Sequence, residues 1–234
     1  MSSERKKDTG EQGNRGEFGS VARGDADVQI EPGESSGDID RSAKIHNSAT
    51  ISSSVKIWNM VRIQEDVTIG DGVKMGHHSF AGRGARLGAD TDVGSRARIG
   101  GGAQISRGVR IGPNASISSR VRIHPGTKIS AGAIINSNSE IGRDVHIGRH
   151  ATVTGGSKIG QGTVMKPFSS IGQGTTLGRN VELGEDALVG YRCTLGDKVR
   201  VDPGIMVVPD SRIADGEHVT IDHPRAAAKP ELED

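Results

Sequence analysis

The side chains best suited to chemistry near neutral pH fall in one short stretch of the chain. His77 and His78 are adjacent, and an imidazole can take a proton from an amine or hydroxyl nucleophile in that pH range. Eighteen residues before them stand Asn59 and Met60, and eighteen after them Ser95 and Arg96. Trp58, the single tryptophan, precedes Asn59, and Phe80 follows the histidine pair. An amide can position a polar group, a guanidinium can hold phosphate, and aromatic rings supply apolar surface. If residues 18 apart meet in space, Trp58, Asn59, His77, His78, Phe80 and Arg96 form one cluster. The expected roles are His77 or His78 as base, with Trp58, Asn59, Phe80 and Arg96 binding substrate. Histidines at polar turns are also common as plain surface residues.

The sequence itself says why 18 is the relevant spacing. From Ile45 an aliphatic residue recurs every six positions, through Ile51, Ile57, Ile63, Ile69 and Met75, and on to Ile213 and Val219. This makes 30 positions in phase without an insertion or deletion. Four residues after each stands a second set, mostly small or β-branched, as in Ala49, Val55, Val61 and Val67. The residue straight after the aliphatic one is often glycine, as in Ile69-Gly70 and Ile111-Gly112. Six residues make a short strand and a turn, and three such units close a triangular coil. Hexapeptide repeats of this kind signal a parallel β-helix, here of about ten coils, with aliphatic and small residues pointing inward. Gly and Asn at the turns are expected to supply backbone conformations that bulkier residues resist.

Composition agrees with a solenoid rather than an ordinary globular core. Aromatic residues are 2% of the 234, the AVILMFWYC set 32%, and glycines number 35. The expected boundaries are a disordered tail over 1–40, an all-β helix domain over 41–222, and a polar tail over 223–234. A net charge near +1 gives no case for nucleic acid or a membrane surface. No apolar run is long enough for a signal peptide or a membrane span, so the expected location is the cytoplasm. The one cysteine, Cys193, falls on an inward small position and reads as core.

Folding the repeat on paper gives three outward faces. The first reads Lys44, Arg62, Phe80, Arg98, Ser116, Ile134, Thr152, Ser170, Leu188, Met206. It is the most apolar and is expected to make a subunit contact, although scattered surface apolars are normal. The second reads Lys56, Lys74, Asp92, Arg110, Lys128, His146, Val164, Glu182, Arg200, and the third runs from Thr50 through Arg86, Arg122 and Glu140 to Arg212. A three-histidine zinc site needs imidazoles converging from neighbouring faces, which His77, His78, His124, His146 and His150 do not offer, so no metal is expected. Arg86 and Arg122 break the threonine ladder an ice-binding face would need. The many G-x-G triplets are repeat turns rather than phosphate loops.

These hexads resemble the hexapeptide-repeat acyltransferases over residues 43–222. The stretch IWNMVRIQEDVTIGDGVKMGHHSFAGRGARLG, residues 57–88, is similar to the opening of bacterial sugar-nucleotide N-acetyltransferases. That family has Trp then His where this chain has Trp58 then Asn59. The stretch 134–160 is similar to a second sugar N-acetyltransferase group, whose catalytic histidine would fall at Arg143. The resemblance implies a left-handed coil, a known exception to the right-handed crossover rule. It also implies a homotrimer with sites between neighbouring prisms, acetyl-CoA as donor, and an amino sugar or sugar nucleotide as acceptor. The alternative reading is a non-catalytic scaffold that binds a partner. The uninterrupted repeat favours the scaffold, and the Trp58–His78 cluster favours the enzyme.

Overall fold

A computed structural model describes residues 38–228. The tail readings for residues 1–37 and 229–234 lie outside the described residues. The chain is a left-handed parallel β-helix with strands at six-residue intervals from β1 (Lys44–Ile45) to β30 (His218–Val219). Each strand pairs in parallel with the strand 18 residues on, so Lys44 faces Arg62 and Ile45 faces Ile63. Three sheets result, one per face of the prism, with the first, second and third faces as the sequence orders them. Strands two residues long cannot hold a sheet alone, and the stack does it. Bonds such as Lys44 N–H to Val61 C=O, at 2.8 Å, tie each coil to the next.

The interior is the repeat turned inward. Ile51, Met75, Ile99, Ile135 and Ile171 are fully buried, as are the small residues Val61, Ala85 and Ala103. Polar residues at the small position give their hydroxyls to backbone carbonyls, either on the next coil, as Thr127 Oγ1 to Gly142 C=O and Thr175 Oγ1 to Gly190 C=O, both at 2.8 Å, or in their own turn, as Ser169 Oγ to Lys166 C=O at 2.7 Å. Ser79 differs. Its Oγ is the one buried side-chain polar atom without a hydrogen-bond partner among the described residues. Cys193 is buried as expected, and burial pushes its thiol pKa up.

The turns separate two jobs for glycine. From Met60 to Gly216 the third residue after each aliphatic one is left-handed, with φ near +60°, and glycine fills it at Gly84 and Gly108. Asp and Asn take eight of the sixteen non-glycine cases, while Met60, His78 and Arg96 take three in succession at one corner. The glycine directly after the aliphatic residue answers a different need. A Cβ on Gly94 would lie 2.5 Å from Pro113 N, and one on Gly112 2.6 Å from Ala131 N. Those glycines let the next turn sit close, and they leave a smooth row along the corner.

Both ends of the prism extend past the expected limits. Ile39, read as tail, is in phase with Ile45, is buried, and bridges Ile57 in parallel. The polar stretch after 222 contains β31 (Ala226–Ala228), which returns antiparallel to β28 (Ile205–Val207) and covers the last edge of the first face. His223 anchors that return. Its Nδ1 accepts from Arg225 N–H at 3.1 Å, and its Nε2–H donates to Glu217 at 3.0 Å. An edge strand left open would invite pairing with another chain, and the folded-back strand closes it. The hexad pattern gave no sign of it, because this strand runs against the repeat.

Candidate functional site

The sequence stacks its chemistry along the corner between the second and first faces. The row after the second-face aliphatics reads Asp40, Trp58, Gly76, Gly94, Gly112, Ser130. Three glycines in succession lay bare the backbone between the outward side chains of the second face and the turn residues of the corner. A groove of about 670 Å³ follows, floored by Gly76, Gly94 and Gly112. Its walls are Asp92, Arg110, Lys128 and His146 on one side and His77, Ser95 and Pro113 on the other.

Trp58 and His77 stand at one end of the groove, with ring centroids 6.1 Å apart and planes tilted by 51°. Asn59 Oδ1 accepts a hydrogen bond from His77 Nδ1–H. An amide oxygen can only accept, so the neutral imidazole keeps its lone pair on Nε2. That is the arrangement a general base requires: one nitrogen held, the other free. Asp40, on the same row, lies close enough to feel His77. Its carboxyl is held below the usual range by its bonds to the Ser42 side chain and backbone, with His77 adding to them.

The rest of the groove carries two cations, Arg110 and Lys128, and one carboxylate, Asp92. Arg110 and Lys128 are neighbours in register, one coil apart, and His146 follows Lys128. Among the described residues neither Arg110 nor Lys128 has an ion-pair partner, in contrast to Lys166 and Arg200 further along, which pair with Glu182. Ser130 Oγ and His146 Nε2 lie within hydrogen-bonding distance at 3.2 Å. A base at one end and unpaired positive charge about two to four coils away, roughly 10–20 Å at strand spacing, suit an elongated ligand with an anionic far part.

The structure thus divides the six residues singled out by sequence. Trp58 and His77 line the groove, and Asn59 positions His77. His78 sits at the crest of the corner with φ +59°, and its backbone N–H donates to Asn59 C=O. Arg96 has the same conformation one coil on. Neither side chain lines the groove. Phe80 lies across the corner on the first face, under the Arg98 guanidinium at 5.6 Å, beside a smaller hollow of about 310 Å³. Arg110, Lys128 and His146 were not among the six. Their signal was present, since they sit consecutively on the second face beside a row broken to glycine. Among the described residues no group of three or more His, Cys, Asp or Glu side chains is placed to hold a metal ion. No helix in that span is long and apolar enough to cross a membrane.

Comparison with known proteins supports the architecture. A family model described as the GMPPB C-terminal domain matches residues 117–222. That span takes in Lys128 and His146 and leaves out Trp58, Asn59 and His77. Among solved structures, the Arabidopsis UDP-N-acetylglucosamine acyltransferase superposes with a TM-score of 0.54 at 16% identity, over 82% of this chain and 73% of that one. LpxA, a UDP-N-acetylglucosamine acyltransferase from Bacteroides fragilis, gives 0.50 at 23% identity, over 72% and 70%. At such identities the likeness is one of fold. Sequence comparison with curated proteins finds no match.

Proposed function

We propose that the protein is a CoA-dependent acyltransferase that moves an acetyl group from acetyl-CoA to an amine or hydroxyl of an amino sugar or sugar nucleotide. The observation that carries the reading is His77, held through Nδ1 by Asn59 with Nε2 free, at the end of a groove lined further on by unpaired Arg110 and Lys128. In the reaction the acceptor nitrogen or oxygen attacks the thioester carbon. His77 Nε2 takes the proton the nucleophile loses, the C–S bond breaks, and the thiol leaves with a proton. Trp58 offers an apolar wall beside the base, and Arg110 and Lys128 offer charge-assisted bonds to phosphate. His77 is preferred to His78 as base because only His77 lines the groove. The first face, with Phe80, Ile134, Leu188 and Met206, is the surface through which three prisms would pack.

A specific observation favours a second reading: the strands recur without interruption from Lys44 to Val219, so among the described residues no loop leaves the repeat to fold over the groove. A scaffold would need none. Acetyl-CoA separates the two. A ligand at 100 times its Kd stabilises the folded state by about 2.7 kcal/mol. Acetyl-CoA should therefore raise the melting temperature of wild type, and much less that of an Arg110→Gln, Lys128→Gln double variant. No shift with acetyl-CoA at millimolar concentration favours the scaffold.

A further inference from the structure

The device that makes the first groove occurs a second time. The row after the third-face aliphatics reads His124, Gly142, Gly160, Gly178, Gly196, a ring followed by four glycines at the hexad position of Trp58, Gly76, Gly94 and Gly112. A Cβ on Gly142 would meet Gln161 N at 2.8 Å, so here too close packing of turns enforces the glycine. The result is a groove of about 360 Å³ on a different corner of the prism, around Gly142 and Gly160. It holds one imidazole, one carboxylate and two cations: His124, Glu140, Arg143 and Lys158.

These groups are not a closed set of salt bridges. His124 Nε2 and Glu140 Oε1 are 3.2 Å apart, so one carboxylate oxygen is bonded to the ring. With Nε2–H donating to Glu140, neutral His124 presents an unprotonated Nδ1 as an acceptor. Arg143 and Lys158 have no ion-pair partner among the described residues. The groove therefore offers two cations without an ion-pair partner, one carboxylate hydrogen-bonded to the ring, and one free hydrogen-bond acceptor, a net positive charge with His124 neutral. Two cations match a phosphate monoester, which is close to doubly charged at neutral pH. The free acceptor matches a hydroxyl. The volume, about half that of the first groove, suits a ligand smaller than a nucleotide.

We propose that this second groove binds a small hydroxylated phosphate monoester, of the size and chemistry of a sugar phosphate, with its phosphate on Arg143 and Lys158 and a hydroxyl donating to His124 Nδ1. The site uses none of the residues assigned to acyl transfer and stands or falls apart from that reading. Isothermal titration of the full chain at low ionic strength, with inorganic phosphate and with glucose 6-phosphate, tests it. Glucose 6-phosphate should bind, and more tightly than inorganic phosphate. Arg143→Gln with Lys158→Gln should weaken it about tenfold or more, as loss of charge-assisted bonds does. His124→Gln should narrow the preference over inorganic phosphate. His77→Ala, in the other groove, should leave glucose 6-phosphate binding unchanged. Absence of binding by glucose 6-phosphate, equal binding by the double variant, equal affinity for the two probes, or loss of binding in His77→Ala would each overturn the proposal.

Discussion

Replacing Gly94 by alanine puts a methyl group where the next coil already stands. The added Cβ would lie 2.5 Å from Pro113 N, 2.6 Å from Gly112 C and 2.9 Å from Ile111 O, all backbone. An ordinary contact begins near 3.4 Å. The turn above must move by most of an ångström, and it carries the register of every later coil. Overpacking of this kind costs about 1–3 kcal/mol. The upper part of that range applies, because backbone yields less than a side-chain tip. Against it, alanine lowers the entropy of the unfolded chain, which returns about 0.4–1 kcal/mol. The net is a loss of roughly 2 kcal/mol, or about 4–8 °C in melting temperature for a domain of this size. Gly108 is the control. It has φ +68° with nothing within 4 Å of its Cβ direction, and asparagine takes that conformation at three other turns. Gly108→Asn should change stability by less than about 1 kcal/mol. Thermal melts followed by circular dichroism compare the two. A Gly94→Ala protein as stable as wild type would refute the claim that close approach of the coils fixes the glycine row, and with it the origin of the groove floor.

Other outcomes follow from single features. Ser79→Ala removes a buried hydroxyl with no partner, so it should raise stability by about 1 kcal/mol in chemical denaturation. The Glu217 carboxyl is held below the ordinary glutamate range, first by its bond to His223. A depressed carboxylate contributes stability above its unfolded pKa, near 4.5, that is lost as pH falls through the folded value. Hydrogen exchange at Ala226–Ala228, corrected for intrinsic rate, should therefore speed up as pH falls below the unfolded value near 4.5 and in Glu217→Gln. Ile134→Glu with Leu188→Glu should give monomers in light scattering with the coils intact, provided the wild type is a trimer; a monomeric wild type at high micromolar concentration would reject the first-face contact.

What the sequence made legible was whatever repeats. The phase of the aliphatic residues placed all thirty inward positions, and the 18-residue spacing put Trp58, Asn59 and His77 together before any coordinates. What escaped was local. Ile39 kept the phase, but its polar surroundings hid it. The β31 strand is three alanines running against the repeat, so no periodic reading finds it. His78 and His77 could not be told apart, because their difference is one of φ: the left-handed turn residue points along the crest and its neighbour into the groove. The groove has no signature in side-chain chemistry, because its floor is a row of absent side chains, Gly76, Gly94 and Gly112. Reading the glycines for space as well as for conformation would have led to Arg110, Lys128 and His146.

Acyl transfer from acetyl-CoA to a panel of amino sugars and sugar nucleotides, followed by release of free thiol, tests the role of His77 most directly. Wild type should turn over with at least one acceptor. His77→Ala should keep the fold, since the residue is exposed at a turn, and should lose about 10²–10⁴ in rate, the usual loss for a general base. His78→Ala should stay near the wild-type rate. Full activity in His77→Ala, or a loss confined to His78→Ala, would contradict the assignment of the base and of the groove as the site.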